Sequence, residues 1–182
     1  MRLKKNNVAP YFSAGTIDKG RFDLSTPRSK PTMLAFFRYA SCPFCNLRVH
    51  ELIKNYENLH KNLDIILIFQ SPKDKIIKYV IKDSMPYAII ADPDERLYDL
   101  YSVEISWLGF AKAMGLRLPQ IFKALFKHNF RPGTMEGNIH RIPADIIIDS
   151  DNKIIKAHYG KDIGDHLELS EIYKILENYE TR

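Results

Sequence analysis

Only two cysteines occur in the 182 residues, and they stand three apart as Cys42-Pro43-Phe44-Cys45. A thiol that ionises near neutral pH attacks a disulfide or a peroxide, and a second thiol one helical turn away can close a disulfide onto it. The flanking residues favour that ionisation. An apolar run from Pro31 to Tyr39 ends just before the pair, and a helical pattern opens at Pro43, a favoured first helical position. Cys42 is therefore expected at or next to the helix N-cap, on an exposed rim. There the free N–H groups and the positive end of the helix dipole stabilise a thiolate, so the thiol should titrate below its usual ~8.5. Cys42 is read as the attacking thiol and Cys45 as the resolving one.

Two other uses of the pair stay open. A zinc site would need two further ligands, yet there is no second cysteine pair, and the six histidines, His50, His60, His128, His140, His158 and His166, lack the spacing of a zinc finger. No metal is expected. Two inert core cysteines would also fit the spacing, although Pro43 argues for a helix start with Cys42 at its rim. His50 shares the helix but lies eight residues on, about 12 Å at ~1.5 Å per residue, too far to act as a base on Cys42.

The elements that would position the pair alternate between β-type runs and helical patterns, which argues for an α/β layer arrangement. Strands are expected at Pro31–Tyr39, Leu63–Phe69 and Tyr87–Ala91, then at Ala144–Asp149 and Lys153–His158 around a Ser150-Asp151-Asn152 turn. Helices are expected from Pro43 to Leu59, from Lys73 to Lys82 and between Asp94 and Tyr101. A last helix is expected with Ser170 as its cap and Ile172, Ile175, Leu176 and Tyr179 on one face. Between the third strand and the final hairpin, residues 105–133 are apolar, aromatic and basic, and read as an inserted pair of helices. Packing on the domain's own core, a substrate lid, a dimer contact and a membrane-surface helix are all compatible with that composition.

Composition sets the outer bounds. With 45% hydrophobic residues, 27% charged and 8 glycines, the chain is a packed protein, expected as one domain over 1–182. Its apolar runs fall short of the ~18 residues of a membrane-spanning helix, and the first twenty residues show no signal-peptide core. A reducing cytoplasm is the expected compartment. The net charge of +5 is uneven. Residues 1–30 carry seven Lys/Arg against Asp18 and Asp23, whereas residues 144–182 hold nine acids against five bases. No nucleic-acid-reading motif accompanies the basic residues, so no nucleic-acid partner is expected.

Five blocks occur in order: Val8-Ala9-Pro10-Tyr11-Phe12, Thr16 to Ser25 (TIDKGRFDLS), Lys30 to Phe37 (KPTMLAFF), Cys42-Pro43-Phe44-Cys45, and Ile142 to Asp149 (IPADIIID). This series resembles the peroxiredoxin-like branch of the thioredoxin superfamily, the alkyl hydroperoxide reductase and thiol-specific antioxidant group, over roughly residues 8–179. The resemblance implies a thioredoxin-like α/β fold with a central mixed β-sheet flanked by helices, an N-terminal β-hairpin, and a helical insertion at about 105–133. It implies that the nucleophile is the cysteine opening the first long helix. It also implies that Pro143, opening the opposite strand, is cis and faces the cysteines, a form taken by only ~5% of X–Pro bonds. Pro43, Phe44, Ile142 and Pro143 are then the residues that position a substrate.

Two departures shape the functional expectation. Typical peroxiredoxins carry Thr or Ser three residues before the peroxidatic cysteine and a proline four before that; here these are Tyr39 and Ala35. Their peroxide-holding arginine falls at Pro143. Arg38 and Arg141 stand near enough in sequence to substitute as charge donors, while the ordinary reading of each is a solvated strand-end charge. Cys-Pro-aromatic-Cys itself resembles glutaredoxins and disulfide oxidoreductases. The expected function is a thiol oxidoreductase of antioxidant type, with no cofactor beyond its cysteines. Its Cys42/Cys45 pair would reduce protein or small-molecule disulfides and, more slowly, hydroperoxides, recharged by an external thiol reductant. A true thiol peroxidase and a non-catalytic binding module on the same scaffold are the alternatives, and a homodimer could form through the aromatic insertion.

Overall fold

The computed structural model describes residues 1–81, 85–116 and 133–180. Five strands form the central sheet in the order β5-β4-β3-β6-β7: β3 (Thr32–Phe36), β4 (Asp64–Phe69), β5 (Ala88–Ala91), β6 (Ala144–Ile148) and β7 (Ile154–Tyr159). β3, β4 and β5 run parallel, β6 lies antiparallel to β3, and β7 antiparallel to β6. The sheet is mixed, as expected. β3 is central and buried along its whole length, which is why its sequence is a continuous apolar run and not an alternating one. Thr32 pairs with Asp64 on one side and Ile148 on the other, and Phe36 pairs with Ile68 and Ala144. That register brings the C-terminal end of β3 beside the start of β6. A separate antiparallel hairpin, β1 (Ser13–Gly15) with β2 (Arg21–Asp23), turns at Gly20, whose φ of +74° suits glycine.

Helices cover both faces. On one face Met33, Ala35, Phe37, Leu67 and Phe69 pack under α1 (Pro43–Lys54), α3 (Lys73–Tyr79) and α6 (Leu169–Glu180), with Val49, Leu52, Ile76, Ile172 and Leu176 buried there. On the other, Leu34, Phe36, Ile68, Ile146 and Ile148 pack with Phe12, Leu24 and α4 (Arg96–Leu100), whose Tyr98 is fully buried. The helical pattern read from Pro43 to Leu59 breaks at Asn55, leaving α2 (Tyr56–Leu59) as a separate turn. Ser170 lies inside α6 and not at its cap, since the helix opens at Leu169 and the Glu168 carbonyl accepts from the N–H groups of Glu171 and Ile172. Of the insertion read at 105–133, α5 (Trp107–Leu116) is helical and residues 117–132 lie outside the described residues.

Two polar arrangements fix the end of the sheet where the cysteines sit. The Tyr98 hydroxyl reaches the carbonyls of Phe37 (2.6 Å) and Ile68 (3.0 Å), where β3 and β4 end. Beneath α1, Asp145 on β6 is fully buried. It accepts from the Leu167 N–H at 2.7 Å and meets His166 Nδ1 at 3.1 Å, while Arg48 on α1 donates to the Leu167 carbonyl at 2.6 Å. Contact with His166 and the nearby Arg48, acting against burial, hold the Asp145 carboxyl below its ordinary value. The cysteine-bearing helix is thus tied to the strand opposite it.

Candidate active site

The chain leaves β3, turns through Tyr39-Ala40-Ser41, and enters α1 at Pro43. Cys42 occupies the N-cap with φ −66° and ψ 120°, and its sulfur accepts from the Cys45 N–H at 3.5 Å. Pro43 stands at the helix start with no N–H to leave unsatisfied. The turn is clamped by Asn46, whose Nδ2 donates to the Ala40 carbonyl at 2.8 Å and the Cys42 carbonyl at 3.0 Å. On its outer side the Ala40 N–H donates to Ser71 Oγ at 2.8 Å.

Both thiols are free and both are buried, so the exposed rim expected for Cys42 is corrected: its exposure is 0%. The cover comes from distant chain. A strap of residues 133–141 crosses the turn, with the Thr134 carbonyl accepting from Ser41 Oγ at 2.8 Å and Glu136 accepting from Ser71 Oγ at 2.9 Å. Gln70 Nε2 donates to the carbonyls of Glu136 and Asn138. Gly137 in the strap has φ +65°, and a Cβ there would meet Gln70 Cδ at 2.8 Å, so only glycine allows this close passage.

Arg38 is the residue that the strap and the thiol share. Its Nη1 lies 3.4 Å from Cys42 Sγ and its Nη2 donates to the Ile139 carbonyl. The guanidinium stacks 5.0 Å from the Tyr39 ring centroid and 5.8 Å from that of Phe110. At 2% exposure it is no solvated strand-end charge; the sequence reading is corrected because long-range cover removes water that a strand end would otherwise have. Its Nε is buried with no hydrogen-bond partner among the described residues, so one donor stays uncommitted. Arg141 is buried too, for a different purpose. It donates to the Val103 carbonyl at 2.6 Å, pairs with Glu95, and lies over the Tyr98 ring. Its Nε, like that of Arg38, is buried with no hydrogen-bond partner among the described residues, but the structure records no bond between Arg141 and Cys42.

The two thiols are electrostatically unlike. Burial raises the Cys42 thiol, but the hydrogen bond from the Cys45 thiol, the Arg38 charge, and the N–H groups of Cys45 and Phe44 outweigh it and bring Cys42 down to about 6. Burial, together with donation to Cys42 and the charge of that thiolate, pushes Cys45 well above its ordinary value. The two shifts run in opposite directions, favouring the thiolate at Cys42 and the donating thiol at Cys45. Burial and the Cys42 charge also push the Tyr39 hydroxyl up to about 12.

The expected substrate-positioning residues divide. Phe44 and Ile142 are buried in the same core cluster as both cysteines. The Ile142 N–H is already committed to the Glu104 carbonyl at 3.0 Å, and the Pro143 carbonyl accepts from the Gly160 N–H at 2.9 Å. The Ile142–Pro143 bond is trans, which corrects the cis expectation. These two bonds hold the chain in line from the Ile105–Arg141 bridge into β6, and trans is the form X–Pro prefers by ~0.5–1 kcal/mol. Sequence reasoning missed Asn46, Ser71, Glu136 and the whole strap. Only the spacing of Asn46, four residues past Cys42 at a helix start, carried a local signal; the rest are contacts between distant segments.

A family model described as the AhpC/TSA family matches residues 6–157. Among solved structures, a thiol peroxidase from Chromobacterium violaceum is similar with a TM-score of 0.66 at 15% identity, covering 99% of this chain and 90% of that chain. A peroxidoxin from Mycobacterium tuberculosis gives a TM-score of 0.63 at 15% identity, covering 99% and 98%. A reduced 2-Cys peroxiredoxin from Plasmodium vivax gives 0.69 at 14% identity, covering 98% and 83%. No curated protein matches the chain by sequence.

Proposed function

Because the chain belongs to the AhpC/TSA family, a family of peroxiredoxin-type thiol oxidoreductases, we propose that Cys42 is its nucleophile and Cys45 its resolving thiol, working on disulfides and, more slowly, on hydroperoxides. The observation that carries this is the contrast at α1: Cys42 lowered to about 6 beside Arg38, Cys45 raised and donating to it. With a disulfide, the Cys42 thiolate attacks one sulfur and expels the other as a thiolate. With a hydroperoxide it takes the distal oxygen, giving a sulfenic acid while the departing oxygen leaves as an alcohol or water after protonation. Cys45 then displaces the bound thiolate, or water from the sulfenic acid, and closes the Cys42–Cys45 disulfide. An external dithiol restores both thiols by the reverse exchange, and no cofactor enters.

Slower peroxide turnover follows from the donors at hand. Each positioned donor at the reacting oxygens is typically worth ~3 kcal/mol, about a hundredfold in rate. Tyr39 stands where the family has a threonine or serine, and Pro143 where it has an arginine. Arg38, 3.4 Å from the sulfur and with an uncommitted Nε, supports the second reading, a true peroxidase in which it replaces the missing arginine. Stopped-flow oxidation of the reduced protein by hydrogen peroxide, set beside oxidation by a small disulfide, decides between them. Faster disulfide oxidation supports the first reading; rapid peroxide oxidation abolished by Arg38→Ala establishes the second. Free thiols suit a reducing cytoplasm, where we place the protein. Exposed Trp107 and Leu108 at the head of α5 support pairing of two copies through the insertion, which sedimentation would report.

A further inference from the structure

At the end of the sheet opposite the cysteines, a cleft of about 370 Å³ opens between the β1–β2 hairpin, the residues before β3, α2 and the first residues of β4 and β5. Its volume falls in the ~300–1,000 Å³ range of small-molecule sites. Four cations line it, Lys19, Arg21, Arg28 and Lys30, against two carboxylates, Asp23 and Asp64. Lys30 is neutralised by Asp64 at 2.9 Å, and Asp23 is engaged by the Ser25 N–H and hydroxyl. The other three cations have no carboxylate within 4 Å among the described residues. Arg28 is held by neutral groups only, the carbonyls of Leu24, Thr26 and Asp149 and the side chain of Asn152, and its Nε is buried without a partner. Arg21 meets only the Ser13 hydroxyl.

Gathering uncompensated cations round a concavity costs stability through mutual repulsion, and an anion in the cleft relieves it. The floor is of another kind. Tyr56 stacks on His60 with centroids 4.6 Å apart and meets Tyr87 edge-on at 5.4 Å, beside Phe22, Leu63 and Ile65. We propose that this cleft binds a small phosphomonoester carrying a planar apolar body, the phosphate held by Lys19 and Arg21 with the charge of Arg28 beside them, and the body laid against the aromatic floor. The excess of two positive charges matches a phosphate dianion; Arg28, whose two Nη groups are already held by four neutral acceptors, contributes charge and not donors, and the exposed Arg21 supplies the planar donor set that suits the phosphate oxygens. The five residues of β3 separate this site from the thiols, so occupancy and redox turnover are distinct properties of the chain.

Calorimetric titration of the reduced full chain with AMP, inorganic phosphate and adenosine tests the assignment. Saturable AMP binding is expected, tighter than for phosphate or adenosine alone and weakening as salt rises. The exposed double variant Lys19→Gln/Arg21→Gln, which leaves the Arg28 contacts in place, should weaken it about tenfold, since each exposed charge contributes modestly. Without ligand its thermal midpoint should be no lower than the parent's, since two mutually repelling charges are removed, and its thiol oxidation should match. Absence of saturable AMP binding, AMP binding no tighter than phosphate, or identical affinity in the double variant would each overturn the proposal.

Discussion

Replacing Arg38 with methionine tests the central electrostatic claim. Methionine keeps much of the aliphatic stem but removes the guanidinium, which lies 3.4 Å from Cys42 Sγ and over the Tyr39 and Phe110 rings. A hydrogen bond to a charged group contributes ~1.5–3 kcal/mol, and one pKa unit corresponds to 1.36 kcal/mol, so the Cys42 thiol should rise by about one to two units. Starting from about 6, it would titrate at roughly 7 to 8, and the thiolate fraction at pH 7 would fall from about nine-tenths to between a half and a tenth. Thiolate absorbance near 240 nm, followed against pH in a Cys45→Ser background, reads that midpoint directly. Arg38→Lys retains a charge without the planar fork and should lie between the two. A midpoint in Arg38→Met unchanged from the parent would show that the residue-45 donor and the helix N–H groups set the ionisation without Arg38, and the account of Arg38 would be wrong.

Cys42→Ser should abolish turnover, whereas Cys45→Ser should still be oxidised once by substrate and then stall as a sulfenic acid or mixed disulfide, visible by intact mass; continued cycling would remove Cys45 from the mechanism. The folded Cys42 thiol lies below its unfolded value of ~8.5, so the unfolded chain binds the extra proton between those pH values and stability from this group rises from pH 6 toward 8.5, being lost as pH falls through 6. Thermal unfolding of the reduced parent should show that rise relative to Cys42→Ser, and parallel pH profiles would contradict it. Asp145→Ala leaves buried His166 and the Leu167 N–H without their partner and should cost about 3–5 kcal/mol in urea unfolding; a loss below about 1 kcal/mol would mean that this contact does not hold the segment under α1.

The strand positions and the helix opening at Cys42 were legible because both rest on local pattern. β3, β4 and β6 are short apolar runs bounded by turn residues, and Pro43 marks a helix start whatever lies across from it. Arg38 was illegible for the opposite reason. Its burial depends on Ile139, 101 residues away, and on a strap whose sequence, with Gly133, Thr134, Glu136 and Asn138, reads as ordinary loop. The same holds for Asp145, which in sequence is one polar residue in an apolar strand and in space is the anchor of α1. The proline preceding β6 stands where the resemblance placed it, but its bond is trans, and the bonds that Ile142 and Pro143 make to Glu104 and Gly160 are contacts that no local pattern encodes.

The adjacency of the two sulfurs bears on how the protein ages under oxidant. A sulfenic acid survives only until a thiol reaches it, and a second oxidant molecule arriving first drives it on to sulfinic acid, which ordinary thiols do not reverse. Here the competing thiol already hydrogen-bonds to the reacting sulfur from one turn along the same helix. Resolution needs no docking of a distant segment, so its rate is independent of oxidant dose while the damaging step scales with it. The strap adds to this by keeping bulk solvent from Cys42. With Cys42 and Cys45 in their proposed roles, the arrangement would favour closing of the disulfide over irreversible loss of the nucleophile as oxidant accumulates.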